Sequence, residues 1–141
     1  MTEKDLISTA VAMQEMAYAP YSNFPVGAAL LCEDGTVYTG CNVENASYGC
    51  TVCAERTALL KAVSEGHRSD WRTIAIAGSG PDYCWPCGIC RQMLYEFAPD
   101  LRILAVRGDG AVAEATLSQL LPNGFGGEQL ERNEERDIAS L

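Results

Sequence analysis

The sequence lacks two features that mark whole classes of proteins. Nowhere in its 141 residues does an apolar run approach the roughly 18 residues that a membrane-spanning helix needs. Basic residues are scarce as well: 10 Lys and Arg stand against 19 Asp and Glu, no basic patch is present, and the formal net charge is −9. Because nucleic acids and anionic membranes are bound through clustered Lys and Arg, we expect neither as a partner.

Histidine is almost missing too. The chain contains a single histidine, His67, in a stretch that follows a predicted helix, and we expect it to be a solvent-exposed loop residue. Hydrolases of the Ser-His-Asp and Cys-His types need a histidine base. They could use only His67 here, and nothing in the sequence around it indicates that role.

A secretory leader is not recognisable either, since the first short apolar stretch follows Glu3 and Asp5 instead of a basic segment. We therefore expect a cytoplasmic protein. Disulfides are rarely maintained in that compartment, and seven cysteines, an odd number, fit complete pairing poorly. Cysteines in such a protein more often bind metal or take part in chemistry.

The composition is that of a soluble globular protein, with 48% hydrophobic and 21% charged residues. A chain of this length suits one domain with a core of its own, which we place over residues 1–127. Acidic residues dominate the segment 128–141, and we expect it to form a charged tail.

Hydrophobic periodicity predicts strands that alternate with helices. Such alternation indicates an α/β fold, and we expect a three-layer α/β/α sandwich around a five-stranded mixed sheet. Helices are predicted over residues 3–17, 54–64, 87–97 and 116–121, and strands over 26–32, 36–42, 73–77, 101–106 and 111–115.

Five cysteines form three overlapping Cys-x-x-Cys units, which allow several interpretations. One is a structural zinc site with four thiolates, built from Cys50, Cys53, Cys87 and Cys90. A second is a redox-active dithiol, Cys84 with Cys87, separated by Trp-Pro. The two remaining cysteines lie in predicted strands, where we expect small buried side chains: Cys32 and Cys41.

The neighbours of these cysteines favour a catalytic metal site. Cys53 is followed by Ala-Glu-Arg, and Cys87 is preceded by Pro86. Together they give Cys-x-Glu and Pro-Cys-x-x-Cys, the signature of zinc-dependent nucleobase deaminases. Both segments open predicted helices, whose N-terminal partial positive charge favours ionised sulfur. Three ligands, Cys53, Cys87 and Cys90, would leave a fourth zinc position for water.

Two charged residues follow the first of these ligands. Glu55 does not share the helix face of Cys53, so we expect it to reach the water from the side and to shuttle protons, a role worth roughly 10²–10⁴ in rate. A zinc ion with three thiolates carries net negative charge and needs neighbours that draw charge off the sulfurs. Arg56 and the two helix N-termini are the candidates; the alternative for Arg56 is an ordinary surface ion pair.

The chain resembles the small, homotetrameric type of zinc-dependent cytidine deaminase, in the cytidine and deoxycytidylate deaminase superfamily. The resemblance rests on Cys-Ala-Glu-Arg at residues 53–56 and Pro-Cys-Gly-Ile-Cys-Arg-Gln at 86–92, and extends over segments 16–29, 40–48 and 120–125. It implies a cytidine deaminase-like fold, one zinc ion per subunit and a homotetramer. It also implies hydrolytic deamination of cytidine and 2′-deoxycytidine to the uridines and ammonia, as in pyrimidine salvage.

The resemblance also assigns substrate-binding residues. Phe24 would pack on the pyrimidine ring, and Asn42 and Glu44 would hydrogen-bond the ribose hydroxyls. The backbone around Ala54 and Pro86 would read the edge of the base. Residues implied to build sites shared between subunits are Ala46, Tyr48 and Phe125.

Three alternatives stay open at this point. A deaminase of a cytosine nucleoside antibiotic such as blasticidin S would carry the same zinc signature. A four-thiolate zinc module would bind metal without catalysis, and a thiol–disulfide oxidoreductase would not need zinc. The acidic balance of the chain favours an uncharged nucleoside over phosphorylated forms, which it would repel.

Overall fold

The structure, a computed structural model, describes residues 1–130. Its strands are β1 (Val26–Cys32), β2 (Val37–Cys41), β3 (Trp71–Gly78), β4 (Arg102–Val106) and β5 (Val112–Thr116). Its helices are α1 (Glu3–Met13), α2 (Ala54–Ser64), α3 (Gly88–Phe97) and α4 (Leu117–Leu120). Within this described part, no helix has the length and apolar character needed to cross a bilayer. The predicted charged tail lies outside the described residues from position 131 onward.

The five strands form one sheet in the order β2-β1-β3-β4-β5. β3 and β4 run parallel, whereas the other neighbouring pairs are antiparallel. The parallel pair arises because α3 carries the chain from the end of β3 back to the start of β4, a crossover that parallel strands require. The predicted five-stranded mixed sheet is confirmed.

Helices cover both faces of this sheet. α1 packs on one face through Leu6 and Ala10, which are buried against the alanines and leucines of the central strands. α2 and α3 pack on the other face, where Leu59 and Leu94 belong to the larger apolar cluster. Since α2 and α3 share a face, their N-terminal ends can form one site.

Local sequence explains where several elements end. Thr2 caps α1 by accepting a hydrogen bond from the Asp5 backbone N–H at 3.1 Å, and the Asp5 carboxylate accepts one from the Thr2 N–H at 3.1 Å. α2 is followed by Gly66, whose φ of 93° is readily available only to glycine. The helix predicted over 3–17 is shorter in the structure, because the α-helix stops at Met13 and the chain continues as a 3₁₀ turn, Gln14–Met16.

A close approach between β2 and α2 fixes the start of α2. A Cβ atom on Gly40 would lie 2.2 Å from the Ala54 carbonyl oxygen and 2.7 Å from the Ala58 amide nitrogen. Only a residue without a side chain therefore allows the first turn of α2 to lie this close to the sheet.

We expect Gly40→Ala to destabilise the protein by about 1–3 kcal/mol, the usual cost of forcing an extra carbon into a packed interior. The midpoint of chemical denaturation measures this loss. Gly49→Ala is the matched control, since a Cβ on Gly49 meets nothing within 4 Å. Equal midpoints for the two variants would contradict the role given to Gly40.

Candidate active site

Both α2 and α3 begin at a cysteine. Cys53 is the N-cap residue of α2 and Cys87 that of α3, and Cys90 lies in the first turn of α3. Neither cap cysteine uses its side chain to cap the backbone of its helix. The three thiols therefore lie at helix N-termini, as the sequence predicts, and remain available to another partner.

The three thiols converge. The Sγ atoms of Cys53 and Cys87 are 3.9 Å apart, those of Cys87 and Cys90 are 3.5 Å apart, and all three lie within 4.8 Å of one another. Sulfurs bound about 2.3 Å from a tetrahedral zinc ion are separated by about 3.8 Å. The spacing and the thiol chemistry of this group therefore fit zinc.

Two cysteines near this group do not join it. Cys50 is exposed on the 3₁₀ turn Tyr48–Cys50, and the thiol cluster of the described residues does not include it. Cys84 is also outside the cluster, and burial raises the pKa of its thiol to about 12. The first point disfavours a four-thiolate site, and the second disfavours a reactive dithiol, because the thiolate is the reactive form.

Charge inside the cluster is uneven. The pKa of the Cys53 thiol is lowered, because the neighbouring Cys90 thiol and Arg56 stabilise its ionised form. The pKa of Cys90, the donor to Cys53, is raised. The Arg56 Nη2 donates to Cys53 Sγ at 3.5 Å and to the Thr51 carbonyl oxygen at 3.1 Å. Arg56 thus turns its charge toward the thiols instead of pairing with a surface acid.

Glu55 lies beside the thiols and is 4% exposed. Burial raises the pKa of its carboxyl to about 7, and the nearby negative charge of Cys53 acts in the same direction. A carboxyl group that titrates near neutrality can both accept and release a proton at physiological pH.

Two of the three thiols, Cys53 and Cys87, and Glu55 open onto a cavity of about 210 Å³, while Cys90 is buried behind them. Its wall combines Cys53, Cys87 and Glu55 with apolar and aromatic side chains, and with Asn42 on the side of β2. The complete lining is Phe24, Val26, Asn42, Thr51, Cys53, Ala54, Glu55, Cys84, Trp85 and Cys87. A cavity of this kind suits a small, flat and largely uncharged ligand.

Phe24 presents a partly exposed aromatic ring in this wall, at 39% exposure. Its ring lies over two glycines: a Cβ on Gly78 would approach the Phe24 Cζ to 2.9 Å, and a Cβ on Gly80 would approach Cε2 to 2.9 Å. The two glycines at and just after the end of β3 therefore make room for the ring and leave its other side toward the cavity.

Asn42 is buried, and its side chain braces the chain around Phe24. Its Oδ1 accepts a hydrogen bond from the Val26 N–H at 2.8 Å, and its Nδ2 donates to the Phe24 carbonyl oxygen at 2.9 Å. A primary amide has two N–H donors and two lone pairs. Asn42 therefore keeps one donor and one lone pair for a ligand while it positions the aromatic residue.

Glu44 lies in an adjacent hollow, lined also by Tyr21, Ser22, Tyr48 and Thr51. One carboxylate oxygen accepts hydrogen bonds from the backbone N–H groups of Tyr21 and Ser22 at 2.9 and 3.0 Å, and the other accepts one from the Ser22 hydroxyl. These bonds, the Ser22 hydroxyl foremost, lower the pKa of Glu44. Thr51 lines both hollows, so Glu44 faces the outer side of the same depression.

The other predicted site residues fall into two groups. Ala54 lies in the cavity wall. Pro86, which precedes the metal-site residue Cys87, is buried, and its carbonyl oxygen accepts a hydrogen bond from Arg91 Nε at 2.7 Å. The remaining three are exposed and do not line the cavity: Ala46, Tyr48 and Phe125. Within this single chain, the structure does not bring the second group together with the thiols.

Sequence reasoning missed several residues of the site. Cys84 and Trp85 form part of the wall, although the sequence indicated them only as parts of a dithiol motif. Ser22, which holds Glu44, lies in the segment 16–29 that carries the resemblance, but nothing local marks its hydroxyl. Thr51 joins the two hollows and has no sequence signal beyond its place next to the first metal-site motif.

A mixed five-stranded sheet with three converging thiols and a buried glutamate at two helix N-termini defines an α/β protein whose thiol group fits a zinc ion. The family model described as "Cytidine and deoxycytidylate deaminase zinc-binding region" matches residues 1–105. The chain belongs to this family. The predicted family and its zinc cofactor are thereby confirmed.

Relatives and solved structures agree with this family. The chain is 46% identical over 131 residues to a cytidine deaminase of Sporosarcina psychrophila, covering 92% of this chain and 96% of the relative. It is 48% identical over 131 residues to one of Halalkalibacterium halodurans, covering 92% and 98%. A crystal structure of cytidine deaminase from Burkholderia pseudomallei is similar with a TM-score of 0.86 and 48% identity, covering 89% of this chain and 100% of that chain.

Proposed function

We propose that the protein is a cytidine deaminase, which hydrolyses cytidine and 2′-deoxycytidine to uridine and 2′-deoxyuridine with release of ammonia. It is thus a hydrolase acting on a C–N bond. The observation that carries the proposal is a group of three converging thiols, two of which line a small cavity together with one buried glutamate and an aromatic ring. The family membership and the relatives' names support the same activity.

Cys53, Cys87 and Cys90 would hold one zinc ion per subunit. Zinc bound there supplies a Lewis acid that makes water a nucleophile near neutral pH. Arg56 and the two helix N-termini offset the negative charge of three thiolates, because each directs positive charge toward the sulfurs.

Glu55 carries the protons of the reaction. Its carboxylate takes one proton from the attacking water and passes it to ring N3 of cytosine. It then takes the remaining proton from the hydroxyl added at C4 and delivers it to the amine, which leaves as ammonia while the C4 carbonyl forms. A carboxyl group buried beside the thiols is suited to both directions of transfer, because neither its neutral nor its charged form is strongly favoured near neutrality.

Phe24, Asn42 and Glu44 would bind the nucleoside. The aromatic face of Phe24 packs on the pyrimidine, Asn42 offers its remaining donor and lone pair to a ribose hydroxyl, and Glu44 accepts from a second hydroxyl. The backbone around Ala54 and Pro86 reads the edge of the base. The hydrogen bonds that fix Asn42 and Glu44 support this assignment, since they orient both groups before a ligand arrives.

We expect Phe24→Ala to weaken substrate binding while the fold and the zinc content stay unchanged. Stacking of a base on an aromatic side chain is worth about 1–3 kcal/mol, which corresponds to a rise of roughly 5- to 150-fold in KM. Steady-state kinetics on cytidine measure this change, and Phe24→Tyr, which keeps the aromatic face, is the control. An unchanged KM in Phe24→Ala would argue against stacking.

The working form would be a homotetramer whose sites are shared between subunits, with Ala46, Tyr48 and Phe125 reaching a neighbour's site. The exposure of all three residues, and the fact that Ala46 and Phe125 do not line the cavity of their own chain, support this view. Mixing inactive Glu55→Gln protein with a low-activity Phe125→Ala variant, followed by subunit exchange, should restore part of the activity. Mixed tetramers with no more activity than the sum of their parents would contradict shared sites.

An absorbance assay on cytidine, run with and without a strong zinc chelator, tests the activity itself. We expect turnover of cytidine and 2′-deoxycytidine that the chelator abolishes, and no turnover of cytidine monophosphate. Turnover of blasticidin S without turnover of cytidine would show that the antibiotic, and not cytidine, is the substrate.

We also propose that residues 1–127 form one deaminase domain that acts in the cytoplasm in pyrimidine salvage, without nucleic-acid or membrane partners.

A further inference from the structure

A second cluster of metal-binding side chains lies away from the active site. Cys32 is the last residue of β1, whereas Val26, the first residue of the same strand, lines the catalytic cavity. Six steps of extended strand separate the two residues by about 20 Å. His67 and Asp70 follow the C-terminal end of α2, while the catalytic residues lie at its N-terminal end. The two clusters are therefore distinct.

The cluster has the geometry of a ligand set. Each of Cys32, His67 and Asp70 offers one ligand atom within 4.8 Å of the other two. The His67 Nδ1 lies 2.7 Å from Asp70 Oδ2, and its Nε2 lies 3.8 Å from Asp34 Oδ2. His67 is less exposed than the sequence predicts, at 20% of its side chain.

Backbone hydrogen bonds hold these residues in place. The Glu33 N–H donates to the Asp70 carbonyl oxygen at 2.8 Å, which ties the turn after β1 to the loop before β3. The Trp71 indole Nε1 donates to the His67 carbonyl oxygen at 2.8 Å. A site supported in this way loses little conformational entropy when an ion binds.

The charge around His67 is strongly negative. Asp70, through its hydrogen bond, and then Asp34 and Glu65 all stabilise the protonated imidazole and raise the pKa of His67. Asp70 Oδ1 is buried and has no hydrogen-bond partner in residues 1–130. A buried carboxylate oxygen without a donor is costly, and a cation would satisfy it.

We propose that Cys32, His67 and Asp70 form a second metal site for a divalent transition-metal ion such as Zn²⁺, with a fourth position open to water. One sulfur, one imidazole nitrogen and carboxylate oxygens are ligands that zinc accepts. Metal binding requires the thiolate of Cys32 and the neutral imidazole of His67. Burial raises the pKa of the Cys32 thiol to about 11, so the ion has to displace the thiol proton, which leaves to solvent together with the extra proton of His67. Asp34 is half-exposed and marks the entry from solvent. The site joins the end of β1 to the loop before β3, so the bound ion stabilises the fold.

Metal content per chain tests the proposal. Zinc-loaded protein is equilibrated at pH 8 with micromolar free Zn²⁺ and analysed by mass spectrometry for metal. We expect two ions per chain in the wild type and one in His67→Gln and in Asp70→Asn. The matched control, Asp100→Asn at an exposed position, keeps two.

Cobalt identifies the sulfur ligand. After zinc fills the catalytic site, a further equivalent of Co²⁺ should produce thiolate-to-cobalt absorption in the wild type and none in His67→Gln. Cys32→Ser should also lose this absorption. If the buried serine prevents folding, the loss of the absorption in His67→Gln still tests whether the second ion is bound at this site.

Two results would overturn the proposal: a wild type that binds one ion per chain, or a second ion that persists in both His67→Gln and Asp70→Asn. If the three thiols of the proposed active site did not bind zinc, a different variant would show it: Cys87→Ala would then have the same metal content as the wild type.

Discussion

Glu55→Gln should abolish turnover of cytidine while zinc stays bound. The substitution keeps the shape of the side chain but removes its ability to carry a proton, and general acid–base catalysis of this kind contributes roughly 10²–10⁴-fold. Because Glu55 is not among the converging thiols, the metal content should not change. Steady-state kinetics and metal analysis on the same preparation measure both effects.

Glu15→Gln is the matched control, with the same chemical change at an exposed glutamate. It should retain wild-type kcat. The Glu55→Gln variant should also fold, since a neutral amide replaces a carboxyl group whose charged form is disfavoured by burial. Near-normal kcat in Glu55→Gln would remove the proposed proton carrier and with it the mechanism.

The second large effect concerns the metal ligands. Cys53→Ala, Cys87→Ala and Cys90→Ala should each lose one zinc equivalent per chain and more than about 100-fold in activity, beyond the 10–100-fold typical of residues that only support a ligand. The reason is that two thiols at these positions cannot retain the ion against competition from a chelator. Metal analysis after dialysis against a chelator of moderate strength measures the loss.

Cys50→Ala and Cys84→Ala serve as controls because both thiols lie outside the converging group. Both variants should keep the catalytic zinc. Zinc lost with Cys50 would instead indicate a four-thiolate site. Activity lost on alkylation of Cys84, with zinc irrelevant to turnover, would indicate a thiol–disulfide oxidoreductase.

Much of the fold could be predicted because its determinants are local. α2 spans Ala54–Ser64 as predicted, since its residues are strong helix formers bounded by a cap and a glycine. β1 spans Val26–Cys32 as predicted, because an apolar run ends at a turn sequence. Cys32 is buried as predicted. Cys41, predicted to be a buried small side chain, is only partly buried, because it lies at the end of β2, where its thiol donates to the Met16 carbonyl oxygen at 3.4 Å.

The site was predictable where its residues are neighbours in sequence. Cys53 and Glu55 belong to one motif, and Cys87 and Cys90 to another, so their spacing along a helix could be deduced directly. Their resemblance to a known family supplied the pairing of the two motifs. What could not be deduced is that the Asn42 side chain makes two hydrogen bonds with the backbone of Phe24 and Val26. These bonds depend on how β1 and β2 pair.

The sequence by itself determined the α/β architecture, the two metal-binding motifs and the acidic character that disfavours nucleic acid. These follow from periodicity, capping and composition, which act over a few residues. Only the tertiary structure decided which distant side chains meet. Cys32 and His67 are far apart in the chain and share no motif, yet the pairing of β1 with β3 brings them together. The physical reason is that strand order and helix packing set distances between segments, and no local pattern encodes those distances.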